Sequence, residues 1–171
     1  MPRTLVTYTT KHGSTEEVAY SIAVRLRDAG REIEFVPAAW VRDLSSYDGV
    51  ILGGPIYMGR WHADARRFVR RHHTALQRLP FAVFALGPLS LEEKDVAGSR
   101  RQLDGALGRL EIEPDLVTVF GGVVEPARLR FPFTRMPKTD ARDWDAIHDW
   151  ADAVALCLPY PVRALARHAH A

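Results

Sequence analysis

Cysteine, long apolar runs and net charge are all scarce in this chain, and each scarcity removes a class of protein. The one cysteine in 171 residues, Cys157, cannot form an internal disulfide or a thiolate metal cluster. It stands between Leu156 and Leu158 on a helix-like stretch, so a place in the core is expected rather than a chemical role. No segment stays apolar long enough to span a bilayer, and Met1-Pro2-Arg3 leads straight into a strand-like run. No signal peptide is therefore expected, and the expected location is the cytoplasm. Lys and Arg number 23 against 21 Asp and Glu, a formal charge of +2. That is too little for a polyphosphate footprint, and no helix-turn-helix or basic-aromatic strand motif appears, so no nucleic acid partner is expected. The seven histidines include His72-His73 and His168-x-His170, but neighbouring histidines diverge on a helix and no acidic or thiol partner stands at ligand spacing. No metal is assigned. Low-complexity stretches and internal repeats are absent as well.

What remains is a 47% hydrophobic chain of a size that buries a substantial core. Strand-like and helix-like patterns alternate along it. Thr4-Leu5-Val6-Thr7-Tyr8 is a β-branched and aromatic run, followed by Val18, Ile22, Ala23 and Leu26 at helical spacing up to Gly30. Glu32-Ile33-Glu34-Phe35-Val36 is a second strand. Residues 41–47 are ambiguous, and Gly49-Val50-Ile51-Leu52-Gly53-Gly54 is a third. Ala65, Phe68, Val69, His72 and Leu76 share one face of a helix predicted over residues 62–79, with Arg66, Arg67, Arg70 and Arg71 largely off it. Phe81-Ala82-Val83-Phe84-Ala85-Leu86 and Leu116-Val117-Thr118-Val119-Phe120 complete five strands, separated by a helix marked by Leu103, Leu107 and Leu110. Trp144, Ile147, Ala151, Val154 and Leu158 then mark a last helix, with Asp140 as its expected cap. The expected fold is α/β, a doubly wound five-stranded parallel sheet with about five helical units on both faces.

The first strand–helix turn reads Thr9-Thr10-Lys11-His12-Gly13-Ser14-Thr15, and Ser14 with Glu17 spells a capping box. Hydroxyls, a glycine and the positive end of a helix converge there on one anion site. The lysine that a nucleoside triphosphate loop needs after its last glycine is missing. So are the second and third glycines and the acidic residue of a dinucleotide turn, since the second strand runs into Pro37-Ala38-Ala39. A monophosphate held by hydroxyls and amides is left, beside the plainer alternative of an N-capped helix with a polar turn. In an open parallel sheet the ligand lies beyond the carboxyl ends of the strands. The third-strand loop, Gly53-Gly54-Pro55-Ile56-Tyr57-Met58-Gly59-Arg60-Trp61-His62, offers aromatic surface for a flat ring, and Gly87-Pro88-Leu89-Ser90 offers backbone N–H groups for a polar ring edge. For Tyr57 or Trp61 the alternative is packing against the sheet end.

At this point the turn resembles the flavodoxin phosphate loop, with Thr10, Ser14 and Thr15 matching and His12 standing where a hydroxyl is usual. Four segments are similar to the flavodoxin-type, menaquinone-dependent protoporphyrinogen oxidases: residues 8–15, residues 51–62, Phe120-Gly121-Gly122-Val123-Val124, and Thr139-Asp140 leading to Asp143-Trp144. The resemblance implies a flavodoxin-like FMN-binding domain over residues 1–158 with a peripheral tail over 159–171. It also implies an FMN-dependent oxidoreductase that passes electrons from a reduced organic substrate to a quinone or a redox partner protein. Thr10, Lys11, His12, Gly13, Ser14 and Thr15 would hold the phosphate. Ile56, Tyr57, Met58, Gly59 and Trp61 would border one side of the ring, and Gly87, Pro88 and Leu89 the other. No catalytic acid or base is assigned.

Family members carry a long basic and hydrophobic insertion before the last helix, and here the corresponding segment is short. Residues 128–138 read Arg128-Leu129-Arg130-Phe131-Pro132-Phe133-Thr134-Arg135-Met136-Pro137-Lys138. Interleaved arginines and apolar residues suit peripheral contact with an anionic membrane, at the inner face, or with an acidic flat substrate. The alternative is a surface loop covering the sheet edge. A pI near 8.9, with Arg60, Arg66, Arg67, Arg70 and Arg71 next to the ring loop, does not suit an acidic shuttle for basic reductases. An oxidoreductase with its own substrate is therefore favoured over an electron carrier, and a fold relative that has lost FMN is the remaining alternative.

Overall fold

The structure, a computed structural model, describes residues 2–159, so the tail beyond Pro159 and the His168-x-His170 pair lie outside the described residues. In chain order the elements are β1 (Arg3–Tyr8), α1 (Ser14–Asp28), β2 (Glu32–Pro37), β3 (Gly49–Tyr57), β4 (Arg60–Trp61) and α2 (Ala63–Leu76). Then come β5 (Phe81–Leu86), α3 (Glu93–Arg109), β6 (Leu116–Phe120), β7 (Val123–Val124), β8 (Thr139–Asp140) and α4 (Trp144–Cys157). Five parallel strands run in the order β2-β1-β3-β5-β6, and β4 turns back antiparallel on the end of β3. β7 and β8 form a separate two-stranded ladder. The expected doubly wound five-stranded sheet is thus the observed one.

Alternation along the strands builds two cores. Leu5, Val50, Leu52, Val83 and Ala85 face one side, beneath Phe68 and Val69 of α2 and Leu103 and Leu107 of α3. Val6, Ile51, Ala82 and Phe84 face the other, beneath Val18, Ile22 and Leu26 of α1 and Ile147, Ala151 and Val154 of α4. Burial of the central strands β3 and β5 on both faces explains their nearly unbroken apolar character.

Several expectations are corrected. The β2–β3 crossover holds no α-helix: a three-residue 3-10 turn, Ala38–Trp40, precedes an irregular stretch whose Val41 and Leu44 are buried over the sheet. Four α-helices, rather than about five, therefore flank the sheet among the described residues. Strand β3 does not stop at its glycines but continues to Tyr57, because Gly53 and Gly54 make room for packed neighbours. A Cβ on Gly53 would stand 2.1 Å from Phe84 Cζ, and one on Gly54 would stand 2.9 Å from Trp61 Nε1. The α4 cap is Asp143, whose side chain accepts from the Ala146 N–H, while Asp140 sits in β8 with its carboxylate on Arg142. Cys157 is exposed, since the buried stripe of α4 runs through Val154, Ala155 and Leu158 and leaves Leu156 and Cys157 outside it. No helix among the described residues is long and apolar enough to cross a membrane.

Candidate functional site

Strand order reverses between β1 and β3, since β1 connects outward to β2 and β3 leads to β5. A cleft of about 520 Å³ opens at that reversal beyond the strand ends, a volume within the range of about 300–1,000 Å³ that small-molecule sites occupy. Its floor is the turn between β1 and α1. There the Gly13 N–H donates to Thr10 Oγ1 at 2.8 Å, and Gly13, with φ of +94°, takes the left-handed conformation that lets the chain enter the helix. The predicted capping box does not form. The N-cap is Gly13, one residue before Ser14, and has no side chain to cap the helix, while the Glu17 carboxylate is committed to Arg142. The first amides of α1 consequently keep no side-chain acceptor, and α1 directs its positive end at the cleft.

Thr15 gives the turn its clearest mark. It is wholly buried and lines the cleft, yet its Oγ1 makes no hydrogen bond among the described residues. His12 Nε2 is buried without a partner as well. A buried polar atom without a partner costs about 1–3 kcal/mol, so such atoms mark places where a ligand completes the set. The His12 pKa is held below its ordinary value, first by burial and then by the charges of Lys11 and Arg128. Lys11 lies with its Nζ 3.9 Å from the centre of the Tyr57 ring, which joins the phosphate turn to the aromatic loop. Tyr8 anchors the turn from below: its hydroxyl donates to Glu16 Oε1 at 2.8 Å, and burial with that contact pushes its pKa up to about 12.

The upper walls come from three loops. Residues 56–59 contribute Ile56, Tyr57, Met58 and Gly59, and Met58 and Gly59 both have positive φ in the turn that folds β4 back onto β3. Gly87 and Leu89 line the wall after β5. The backbone ties this wall to its neighbours, with the Gly122 N–H donating to the Pro88 carbonyl at 2.7 Å and the Ala141 N–H to the Gly122 carbonyl at 3.0 Å. Across the cleft, Arg142 pairs with Asp140 at 2.7 Å and with Glu17, and these contacts raise its pKa further above its already high ordinary value. Around the mouth the apolar side chains of Met58 and Leu89 are 77% and 47% exposed.

Of the residues singled out in the sequence, Lys11, His12, Ser14, Thr15, Ile56, Tyr57, Met58, Gly59, Gly87 and Leu89 come together around the cleft. Thr10 and Gly13 shape the turn without lining it, and Pro88 contributes its carbonyl to the loop scaffold. Trp61 is not brought to the cleft. Its pairing with Ile56 turns it inward, where it is 1% exposed and its Nε1 donates to the Gly54 carbonyl at 3.2 Å. Sequence reasoning missed Gln102 and Ser99 of α3, Arg128 as a neighbour of the turn, and Arg142. For Arg128 the only signal was the basic character of residues 128–138, which does not say where an arginine points.

The donor set fits a flavin mononucleotide. An unpartnered hydroxyl and free helix amides suit a phosphate, and apolar walls on two sides suit a flat ring.

Comparisons with known proteins agree with this geometry. Protoporphyrinogen IX dehydrogenase (quinone) of Escherichia coli strain K12 is 25% identical over 171 residues, spanning 90% of this chain and 94% of that protein. The enzyme of the same name from Leishmania major is 27% identical over 183 residues, spanning 95% and 79%. Among solved structures, an oxidised flavodoxin from Bacillus cereus aligns with a TM-score of 0.57 at 19% identity, covering 90% of this chain and 97% of that one. A family profile described as Flavodoxin domain matches residues 5–138, from the first strand through the hydroxyl turn and both ring loops. With that match over most of its length and with this strand order, the chain belongs to the flavodoxin domain family.

Proposed function

We propose that the cleft binds FMN and that the protein is an oxidoreductase passing electrons from a reduced organic substrate to a quinone. The observation that carries the reading is the unpartnered hydroxyl of wholly buried Thr15 at the base of a cleft at the strand-order reversal. The flavin supplies the electron-accepting ring, and the chain's part is to hold and orient it. Thr15, Ser14 and the first amides of α1 hold the phosphate. Ile56, Tyr57, Met58 and Gly59 border the ring on one side, with Gly87 and Leu89 on the other, and these walls exclude water from it. Residues 1–158 form this FMN-binding unit.

Two relatives whose names specify protoporphyrinogen IX and a quinone support the choice of substrate and acceptor. Exposed Met58, Leu89 and Phe133 around the mouth suit an apolar reactant or an anionic membrane surface that delivers one. The test is anaerobic mixing of FMN-loaded protein with protoporphyrinogen, followed by a menaquinone analogue. Bleaching of the flavin absorbance and its recovery on adding the quinone is the expected result. Absence of bleaching, with rapid reduction by a flavodoxin reductase and NADPH, would instead make the protein an electron carrier without its own substrate.

A further inference from the structure

We propose that Arg128 is a phosphate-binding residue of the cleft, reaching it from the connector between β7 and β8. The inference rests on the FMN reading and extends it, since Arg128 belongs to neither the hydroxyl turn nor the helix that follows. Arg128 ends the 3-10 turn Pro126–Arg128, and its Nη1 donates to the carbonyl of His12. The same nitrogen stands 3.6 Å from the position a Cβ would take on Gly13, so the guanidinium lies over the backbone of the turn. The carboxylates around it are already committed. Glu125 pairs with Lys138 at 3.0 Å, and Glu17 and Asp140 pair with Arg142. Arg128 itself is in no ion pair among the described residues.

A guanidinium carries five N–H donors in a planar fork, and the His12 carbonyl occupies one of its nitrogens. Arg128 lines the same cleft as Lys11 and the unpartnered Thr15 hydroxyl, at the positive end of α1, and no protein group other than the His12 carbonyl takes its donors among the described residues. Four groups suited to an anion thus converge from two segments more than a hundred residues apart. The contact also has a structural consequence. Leu129, Phe133 and Met136 follow Arg128 in the same connector and line the same cleft, so a phosphate held by Arg128 fastens the outer apolar wall to the floor.

The experiment measures FMN and riboflavin affinities by fluorescence titration for the wild type, Arg128→Ala and Arg128→Lys. Riboflavin has the ring and lacks the phosphate, so it reports any general damage to the cleft. The expected result is at least about tenfold weaker FMN binding by R128A, unchanged riboflavin binding, partial recovery in R128K and a flatter dependence of FMN affinity on salt in R128A. Equal losses for both flavins would make Arg128 a structural residue and overturn the assignment. So would an R128A variant that binds FMN as the wild type does, and that result would leave the FMN reading standing. A wild type that binds neither flavin would overturn the FMN reading itself and this inference with it.

Discussion

Trp61 and His72 show how single side chains divide between scaffold and site. Trp61 is wholly enclosed against Gly54 and Ala65, so its role is in the fold. Trp61→Ala should destabilise the ligand-free protein by about 3–5 kcal/mol in urea unfolding, the cost of emptying a large core site. A ring wall facing the ligand would cost almost nothing in that experiment. His72 is buried against Phe68, with ring centres 4.7 Å apart, and α2 kinks at this residue. Its pKa is lowered, first by burial and then by Arg71, with the Val41 carbonyl and Asp43 acting in the opposite direction. The folded protein therefore takes up this proton at lower pH than the unfolded chain, whose histidine titrates near about 6.5. The contribution of His72 to stability is present above that value and is lost as pH falls through the lower folded value. Urea midpoints should drop between pH 7.5 and pH 5.5, and His72→Phe, which keeps the ring contact, should drop less. At this scale the sequence was a partial guide. The hydroxyl turn was legible because its residue types state their chemistry, whereas the burial of Trp61 depended on a two-residue hairpin partner that no periodicity announces.

Among the elements, the loops at the carboxyl edge of the sheet are held as a unit by Gly121 and Gly122. A Cβ on Gly121 would stand 1.9 Å from the Ala141 carbonyl oxygen, a backbone atom that cannot swing away. Gly121→Ala should therefore destabilise the protein by about 1–3 kcal/mol or more, measured by urea unfolding, because β8 must shift from its place beside the turn. An unchanged midpoint would mean that the ladder of β7 and β8 is not fastened in this way. The long strands and all four α-helices of the described residues were legible because two-residue and 3.6-residue periodicities are strong over such lengths. The β2–β3 crossover was not, since burying Val41 and Leu44 requires no helix. Nor were the helix N-caps, although Gly30, with φ of +82°, does stop α1 as its sequence position suggests. Glu17 has the spacing of a capping partner, and only its distant neighbour Arg142 decides that it faces elsewhere.

At the scale of the whole molecule, the order β2-β1-β3-β5-β6 places one reversal point and hence one cleft at the carboxyl edge, and four connecting segments distant in sequence meet there. The same edge carries exposed apolar residues beside Arg130 and Arg135. Vesicles containing anionic lipid should therefore retain the protein better than neutral vesicles at low salt, and the difference should fade as salt rises. Equal retention on both would leave the mouth as a contact for a dissolved reactant. The proposed FMN binding rests on the turn that holds Thr15. It is tested most directly by fluorescence titration of FMN with the wild type and with Thr15→Val, which keeps the volume and removes the unpartnered hydroxyl. The wild type should bind saturably, T15V much more weakly, and FMN at a hundred times its Kd should stabilise the wild type by about 2.7 kcal/mol. Flavin fluorescence and thermal midpoint both unmoved by FMN in the wild type would contradict it.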